Sequence, residues 1–179
     1  MSKKRLYIAY GSNLNLPQMA ARCPTAKPVG TAELKDFELL FRGARHGGVA
    51  TVEPKTGSAV PILVWSIKPK DEAALDRYEG FPNLYGKQMM EIDLDGKPVS
   101  AMVYVMTPGY DAAFPSKYYL NVIAEGYRTA DFDTAVLDAA VERTEEIMAE
   151  EMEQLAADLE ERGKDMEQGT LPGFGLRWW

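Results

Sequence analysis

The sequence predicts an α+β fold, namely a small mixed, mostly antiparallel β-barrel with surrounding helices, followed by a C-terminal helical extension. Over residues 1–130, strand patterns alternate irregularly with short helix patterns, without the regular strand–helix–strand period of a parallel sheet. Residues 133–163 change character: they are rich in Ala, Glu and Met, and their apolar residues fall at helical spacing. We therefore expect one domain over residues 1–130, with an amphipathic helix and a Trp-rich tail over residues 131–179 packed on it.

The composition and charge of the 179-residue chain suit a single domain. Hydrophobic residues make up 46% of the chain, which is enough for one full core. The formal net charge is −7 and the Lys and Arg residues are scattered, which works against nucleic-acid binding. Residues 1–5 lead directly into a strand pattern, so we expect no signal peptide or membrane span there. The expectation is a cytoplasmic protein with no nucleic-acid or membrane partner.

The rare residue types restrict the chemistry that the chain can perform. Cys23 is the only cysteine and His46 is the only histidine. An intramolecular disulfide, a cysteine-based metal site and a multi-histidine metal site are therefore excluded. A nucleophile–histidine pair would have to use His46, which lies in a Gly-rich stretch. If the chain is an enzyme, carboxylates or lysines are expected to do its proton chemistry.

The first strand ends in an unusual turn. Residues 6–10 alternate with the period of two that a strand requires. A Gly-Ser-Asn turn at residues 11–13 follows, and Asn15 can cap a short helix that Pro24 ends. The turn therefore joins a strand to the N-terminus of a helix.

The remaining elements follow from apolar periodicity and from the positions of glycine and proline. Residues 31–42 predict a strand pair or one bent strand, and Asp95-Gly96 is a strong hairpin signal between two strands. Gly80 and Gly126 are placed to end the helices that precede them. Further strands are expected over residues 49–53, 60–67, 87–94 and 97–106, and helices over residues 70–78 and 117–124.

The C-terminal region predicts one long helix, or two helices broken in the middle, over residues 133–163. Its acidic face is most simply solvated and its apolar stripe most simply packs on the domain, while a dimer seam is the alternative. Trp178 and Trp179 are expected to pack on this chain or on a neighbour. A homodimer through the helix or the tail is thus one expectation. The stripe consists of Leu137, Val141, Thr144, Met148, Leu155 and Leu159.

Two stretches carry candidate chemistry. The turn at residues 11–13 exposes consecutive backbone N–H groups before a helix, which suits an anion or a developing oxyanion. A tight turn with a local Asn cap is the alternative, and these residues alone favour it. Glu79 is predicted at a helix C-terminus, where the helix dipole disfavours the charged carboxylate and raises its pKa. The alternative for Glu79 is an exposed carboxylate beside a C-cap glycine.

Six short stretches, taken in order, point to a known family. They are YGSNL (10–14), LKDFELLF (34–41), HGGVATV (46–52), ALDRYEG (74–80), YVMT (104–107) and PSKYYLNVIAEG (115–126). Together they resemble the γ-glutamylcyclotransferase family, including its AIG2-like relatives, over roughly the first 126 residues. We expect no resemblance to the family in the chain after residue 131.

The resemblance implies a mixed barrel with surrounding helices and a reaction that needs no metal or cofactor. The substrate is a small-molecule γ-glutamyl amide, whose own α-amine attacks its γ-carbonyl to form 5-oxoproline and release an amine or amino acid. By resemblance, Glu79 is the catalytic glutamate, acting as general acid and base. Backbone N–H groups of a substrate-binding loop would hold the glutamyl carboxylate, the carbonyl oxygen or both. The residues that match this loop are Tyr10, Gly11, Ser12, Asn13 and Leu14.

Other residues and other functions remain open at this stage. Tyr119 matches a family tyrosine that lines the pocket, and Tyr118 is the rival assignment. A core aromatic is the other alternative for Tyr119. Tyr7 and Tyr85 are weaker candidates, with packing the favoured role for Tyr85, and His46 is assigned to structure. The leaving group is open between γ-glutamyl amino acids, γ-glutamyl amines, glutathione and a more specialised amide. A non-catalytic small-molecule or peptide-binding domain on the same fold is the alternative function, and an interaction module built on the C-terminal helix is a third.

Overall fold

The structure, a computed structural model, describes residues 4–44 and 47–167. The predictions for His46 and for the Trp-Trp tail lie outside the described residues. The strands are β1 (Arg5–Ala9), β2 (Lys27–Ala44), β3 (Gly47–Ile67), β4 (Tyr85–Leu94) and β5 (Lys97–Met106). The helices are α1 (Leu16–Arg22), α2 (Pro69–Tyr78), α3 (Lys117–Thr129) and α4 (Ala135–Glu167), and a short 3₁₀ turn (Ser12–Leu14) lies between β1 and α1.

The five strands form one mixed sheet in the order β2-β3-β1-β5-β4. All neighbouring pairs are antiparallel except β1 and β5, which are parallel. The predicted α+β class with a mostly antiparallel sheet is confirmed. The predicted barrel needs correction, because no strand pairing among the described residues joins β2 to β4. These edges approach closely without pairing, because a side chain of β4 lies near the backbone of β2. A Cβ atom added to Gly30 would lie 3.3 Å from Cδ1 of Leu94.

The long β2–β3 hairpin replaces the separate strands that the sequence predicts over residues 31–67. β2 and β3 pair along nearly their whole length, with register shifts between Pro28 and Gly30 and between Lys35 and Phe37. At the second shift Asp36 has a positive φ of 61°, and the extra residues of β3 form a bulge. The pairing continues on both sides of the bulge, so the polar stretch around Gly57 bends the ladder without ending it.

Local signals set the helix starts as predicted. The side chain of Asn15 accepts a hydrogen bond from the N–H of Gln18 at 3.1 Å, and that of Ser116 accepts one from the N–H of Tyr119 at 3.1 Å. Both are N-caps of the helices that follow them.

The sequence predicts that Gly126 ends α3, but the helix continues to Thr129. The reason is tertiary packing. A Cβ atom at residue 126 would lie 2.6 Å from Cβ and 2.9 Å from the carbonyl carbon of Leu14. The glycine lets α3 sit directly against the 3₁₀ turn.

The C-terminal region is one helix, α4, with two different environments. Leu137, Ala140, Thr144 and Ile147 in its first half are buried. Its second half is exposed, with Leu155 and other apolar side chains facing outward. Among the described residues, no helix combines the length and the apolar character needed to cross a membrane.

Candidate active site

A small cleft opens where β1 ends and the 3₁₀ turn begins. Its empty volume is about 290 Å³, including the open mouth. β1 is the central strand, between β3 and β5, so the chain that follows it starts from the middle strand of the sheet. The residues that line the cleft are Tyr7, Tyr10, Gly11, Ser12, Asn13, Ala50, Glu79, Tyr85, Tyr104 and Tyr119.

Gly11 lets the 3₁₀ turn lie close to strand β3. A Cβ atom at this position would lie 3.1 Å from Cβ of Ala50 and 3.5 Å from the Tyr119 hydroxyl. The Leu14 N–H donates to the Gly11 carbonyl oxygen at 3.0 Å and closes the turn. Within the described part of the chain, the N–H groups of Ser12 and Asn13, at the start of the turn, have no hydrogen-bond acceptor.

Glu79 reaches the cleft from the end of α2. Its N–H donates to the Leu75 carbonyl oxygen at 2.8 Å, as the last bond of the helix. Gly80 then adopts a positive φ of 63° and turns the chain away. The carboxylate Oε1 of Glu79 accepts a hydrogen bond from Nδ2 of Asn13 at 2.8 Å. The end of α2 and the 3₁₀ turn, 66 residues apart in sequence, thus meet in two hydrogen bonds, the second between the hydroxyl groups of Ser12 and Tyr78 at 3.0 Å.

Burial raises the pKa of the Glu79 carboxyl group to about 7. The positive charge of Arg22 and the hydrogen bond from Asn13 act in the opposite direction, because both favour the carboxylate. The direction agrees with the sequence prediction, and the main cause is desolvation. At neutral pH the group therefore populates both protonation states.

Asn13 is the central hydrogen-bonding residue of the cleft. Its Nδ2 donates both to Glu79 and to the hydroxyl of Tyr7, at 2.9 Å. Its Oδ1 accepts from Nη1 of Arg22 at 2.8 Å. This amide side chain is buried, and its two N–H groups and its oxygen all have hydrogen-bond partners, which come from β1, α1 and the end of α2.

Tyrosines from three strands, one helix and the chain after β1 form the walls of the cleft. The Tyr10 hydroxyl donates to the Tyr104 carbonyl oxygen at 2.7 Å, and the Tyr85 hydroxyl donates to the Ala50 carbonyl oxygen at 2.6 Å. The Tyr119 hydroxyl accepts from the Ala50 N–H at 3.1 Å. Burial raises the pKa of Tyr10, Tyr85 and Tyr119, so these phenols stay neutral at ordinary pH.

Tyr104 connects the cleft to a charged cluster on its outer side. Its hydroxyl donates to Oδ1 of Asp76 at 2.6 Å. Lys87 lies between Asp76 and Glu72, with its Nζ 2.7 Å from a carboxylate oxygen of each. Inside the cleft, the Tyr104 ring packs edge-on against Tyr7 with the ring centroids 5.8 Å apart. Within residues 4–44 and 47–167, no group of His, Cys, Asp and Glu side chains has a metal-binding arrangement.

Comparison with known sequences identifies the family. The family described as "Gamma-glutamyl cyclotransferase, AIG2-like" matches residues 7–142, which include every residue that lines the cleft. This chain belongs to the γ-glutamylcyclotransferase family. The predicted resemblance and the prediction of an enzyme are confirmed.

Individual relatives agree with this assignment. The chain is 33% identical over 132 residues to a gamma-glutamylcyclotransferase of Homo sapiens, covering 68% of this chain and 69% of the human protein. It is 34% identical over 130 residues to the Mus musculus protein of the same name, with the same coverage. A solved structure of a gamma-glutamyl cyclotransferase superposes with a TM-score of 0.68 at 29% identity, covering 82% of this chain and 88% of the other.

Most of the predicted loop lies in the cleft of this γ-glutamylcyclotransferase fold. Tyr10, Gly11, Ser12 and Asn13 line it, whereas Leu14 is buried behind it against α3. Tyr119 lines the cleft, and its rival Tyr118 is 74% exposed. The weaker candidates Tyr7 and Tyr85 line it as well.

Three residues of the site escaped the sequence analysis. Ala50 and Tyr104 lie inside the family-like stretches HGGVATV and YVMT, so the motifs contained a signal for them. Arg22 lies in none of these stretches. Its contact with Asn13 depends on the docking of α1 beside the 3₁₀ turn, which periodicity does not report.

Proposed function

We propose that this chain cleaves γ-glutamyl amides by an intramolecular cyclisation, with Glu79 as general acid and base. The Glu79 carboxylate takes a proton from the substrate's α-ammonium group. The free α-amine nitrogen attacks the γ-carbonyl carbon and forms a new C–N bond. The bond from that carbon to the leaving nitrogen then breaks as Glu79 returns its proton to this nitrogen, and the second proton that the ring nitrogen loses passes to the released amine, which leaves as an ammonium ion. The products are 5-oxoproline and a free amine or amino acid, and no water is consumed.

The observation that carries the proposal is the position of Glu79 in the cleft, hydrogen-bonded to the 3₁₀ turn. A residue that both accepts and returns a proton works best with a pKa near the working pH. Burial raises the pKa of Glu79 to about 7, which meets this requirement. A positioned acid–base group of this kind contributes about 10²- to 10⁴-fold in rate.

The 3₁₀ turn supports the proposal from the other side of the cleft. The N–H groups of Ser12 and Asn13 have no acceptor in the described part of the chain. Such donors suit the oxygen of the γ-carbonyl as it gains negative charge, or the substrate carboxylate. Neutral phenols of Tyr10, Tyr85 and Tyr119 surround this region, and they limit the conformations that a bound glutamyl group can adopt. Restricting the substrate to a folded geometry favours ring closure.

Release of 5-oxoproline tests the proposal. Wild type and Glu79→Gln are incubated with γ-glutamyl amino acids, γ-glutamyl amines and glutathione, and 5-oxoproline is measured by mass spectrometry. We expect release by wild type and a loss of about 10²-fold or more in Glu79→Gln. Glu145→Gln, an exposed change on α4, is the control and keeps full activity.

The outcomes separate the enzyme from a binding domain. The best substrate of the panel identifies the leaving group. Equal release by wild type and Glu79→Gln would overturn the role of Glu79. Binding of glutamyl compounds without any 5-oxoproline would favour the alternative of a non-catalytic binding domain on the same fold.

A further inference from the structure

Arg22 makes three contacts beside the cleft without lining it. It lies in the last turn of α1, and its Nη1 donates to Oδ1 of Asn13 at 2.8 Å. Its Nη2 donates to the side chain of Gln18, one turn earlier in the same helix. The guanidinium carbon lies 3.6 Å from the ring centroid of Tyr78, the residue before Glu79. The guanidinium plane is thus held between α1, the 3₁₀ turn and α2.

We infer that Arg22 is a positioning residue for Glu79 and acts through the side-chain amide of Asn13. With Arg22 bonded to Oδ1, the Nδ2 group of Asn13 must face Glu79 and Tyr7. The consequence for catalysis rests on the proposed function, in which Glu79 is the acid–base group. The contact itself does not depend on that proposal.

The alternative orientation of Asn13 would be unfavourable at both ends. A flipped amide would place its NH₂ group against the guanidinium and its carbonyl oxygen against the Glu79 carboxylate. Arg22 accepts no hydrogen bond and an ionised carboxylate donates none, so two partly buried contacts would become repulsive. Arg22 therefore selects the orientation in which Oε1 of Glu79 is bonded. In the described part of the chain, Oε2 has no partner and can face the substrate.

The charge of Arg22 also acts on Glu79 itself. It lowers the pKa of the Glu79 carboxyl group, in opposition to burial. The other titratable groups that surround Glu79 are phenols, which are neutral at ordinary pH. They come from β1, the chain that follows it, β4, β5 and α3, and they are Tyr7, Tyr10, Tyr85, Tyr104 and Tyr119. The carboxylate of Asp76 lies beyond Tyr104.

The geometry requires arginine and not simply a positive charge. A planar guanidinium can stack on Tyr78 while two of its nitrogens donate in fixed directions. A lysine ammonium could supply the charge but not the stacked fork. Substitution by Lys therefore separates the effect on charge from the effect on orientation.

The first test is a titration of Glu79 that needs no substrate. The carboxyl carbon of Glu79 is followed by ¹³C NMR between pH 4 and 9, and Glu79→Gln assigns its signal. We expect Arg22→Met to raise the midpoint by about 1 pH unit, because an opposing charge nearby is lost. Arg22→Lys should stay close to wild type. Arg77→Met, which removes an exposed cation two residues before Glu79, is the matched control and should change nothing.

The second test is kinetic. Arg22→Lys is expected to lower kcat for 5-oxoproline release by about 10- to 100-fold with little change in KM, because the base is displaced while the substrate still binds. In an Asn13→Ala background the same substitution should have little further effect, because the two residues act as one unit. Full additivity of the two losses would overturn the route through Asn13.

The outcomes distinguish this inference from the proposed function. A Glu79 midpoint that is unchanged in folded Arg22→Met overturns the inference, whatever the activity. A raised midpoint in a protein that releases no 5-oxoproline supports the contact between Arg22 and Glu79 and rejects the proposed function. Circular dichroism and thermal unfolding confirm folding. If Arg22→Met does not fold, Arg22→Gln removes the charge with a shorter polar side chain and gives the same readout.

Discussion

The Glu79 carboxyl group is subject to opposing influences from a few identified neighbours. Burial raises its pKa to about 7, while Arg22 and Asn13 favour the ionised form. Each of these residues comes from a different element, and each contact is specific in direction. The balance places the pKa where a proton can be both taken up and returned near neutral pH.

The pH dependence of catalysis follows from this balance. Because the reaction begins with an ionised Glu79, kcat/KM should rise as the pH increases through about 7. On the acidic side it should fall about tenfold per pH unit. Initial rates of 5-oxoproline release between pH 5 and 8 measure this limb. A limb centred near the ordinary glutamate pKa, about 4.3, would contradict the role of burial.

The Tyr119 hydroxyl makes a hydrogen bond that its neighbour Tyr118 cannot make. It accepts from the N–H of Ala50, a residue that is only 3% exposed. We expect Tyr119→Phe to lower the free energy of unfolding by about 1 kcal/mol, because this buried donor loses its acceptor. It should also lower kcat/KM, since the hydroxyl lines the cleft. Denaturant unfolding and 5-oxoproline assays of Tyr119→Phe and the control Tyr118→Phe test this, and equal effects of the two would contradict it.

At the level of the elements, the contact between α3 and the 3₁₀ turn holds the loop that lines the cleft. Gly126 brings the helix against Leu14, and Asn15 donates to the Val122 carbonyl oxygen at 3.3 Å and to Glu125 at 3.0 Å. The helix that carries Tyr119 thus also supports the turn that carries Asn13. Gly126 does not line the cleft, but a change there should still alter the position of the turn that does.

Gly126→Ala tests this support. The added methyl group would meet Leu14 at 2.6 Å, so helix and turn must separate. We expect a loss of about 1–3 kcal/mol in the free energy of unfolding and a lower kcat for 5-oxoproline release. Gly163→Ala in α4 is the matched control, because a Cβ atom there meets nothing within 4 Å. It should stabilise the helix slightly, by about 0.5–1 kcal/mol. Similar behaviour of the two variants would argue against the contact.

At the level of the whole molecule, α4 is attached to the sheet along its first half. Thr144 is fully buried, accepts from the Phe41 N–H at 3.1 Å and donates to the Ala140 carbonyl oxygen at 2.7 Å. Further along, Glu151 accepts from Arg42 and from the Ala112 N–H. Beyond this point Leu155 and Leu159 are each 59% exposed.

Two leucines on the same helix should therefore differ in their effect on stability. Leu137 is 3% exposed and Leu159 is 59% exposed. We expect Leu137→Ala to cost about 2–5 kcal/mol of the free energy of unfolding, because it leaves a cavity in the core. Leu159→Ala should stay within about 0.5 kcal/mol of wild type. Chemical denaturation measures both, and a small effect of Leu137→Ala would show that α4 contributes little to the domain.

The homodimer and the domain boundary at residue 130 stay predictions. The expectation that the family resemblance ends before residue 131 needs correction, because the family match continues to residue 142, into the buried half of α4. Light scattering of wild type and of a Leu155→Glu, Leu159→Glu double variant tests the dimer. A dimer built on this helix should dissociate in the variant. A monomeric wild type would contradict the prediction of a homodimer.

Much of the fold could be predicted from the sequence because its signals are local. Asn15 and Ser116 cap the helices that they precede, and Asp95-Gly96 joins the two strands around it. A hydrogen bond to a backbone group a few residues away depends on the local chain alone. Gly126 was misassigned because the same residue type serves both at helix ends and at close contacts between elements.

By itself, the sequence determined the α+β class, most of the element boundaries, the family and the candidate pair of Glu79 and the loop at residues 10–14. Only the tertiary structure decided that Tyr119 and not Tyr118 faces the cleft, that Leu14 lies behind it, and that Arg22 bonds Asn13. It also showed that burial is the main reason for the raised pKa of Glu79. The physical reason is that periodicity and capping act over a few residues, whereas desolvation and side-chain orientation depend on neighbours from distant parts of the chain.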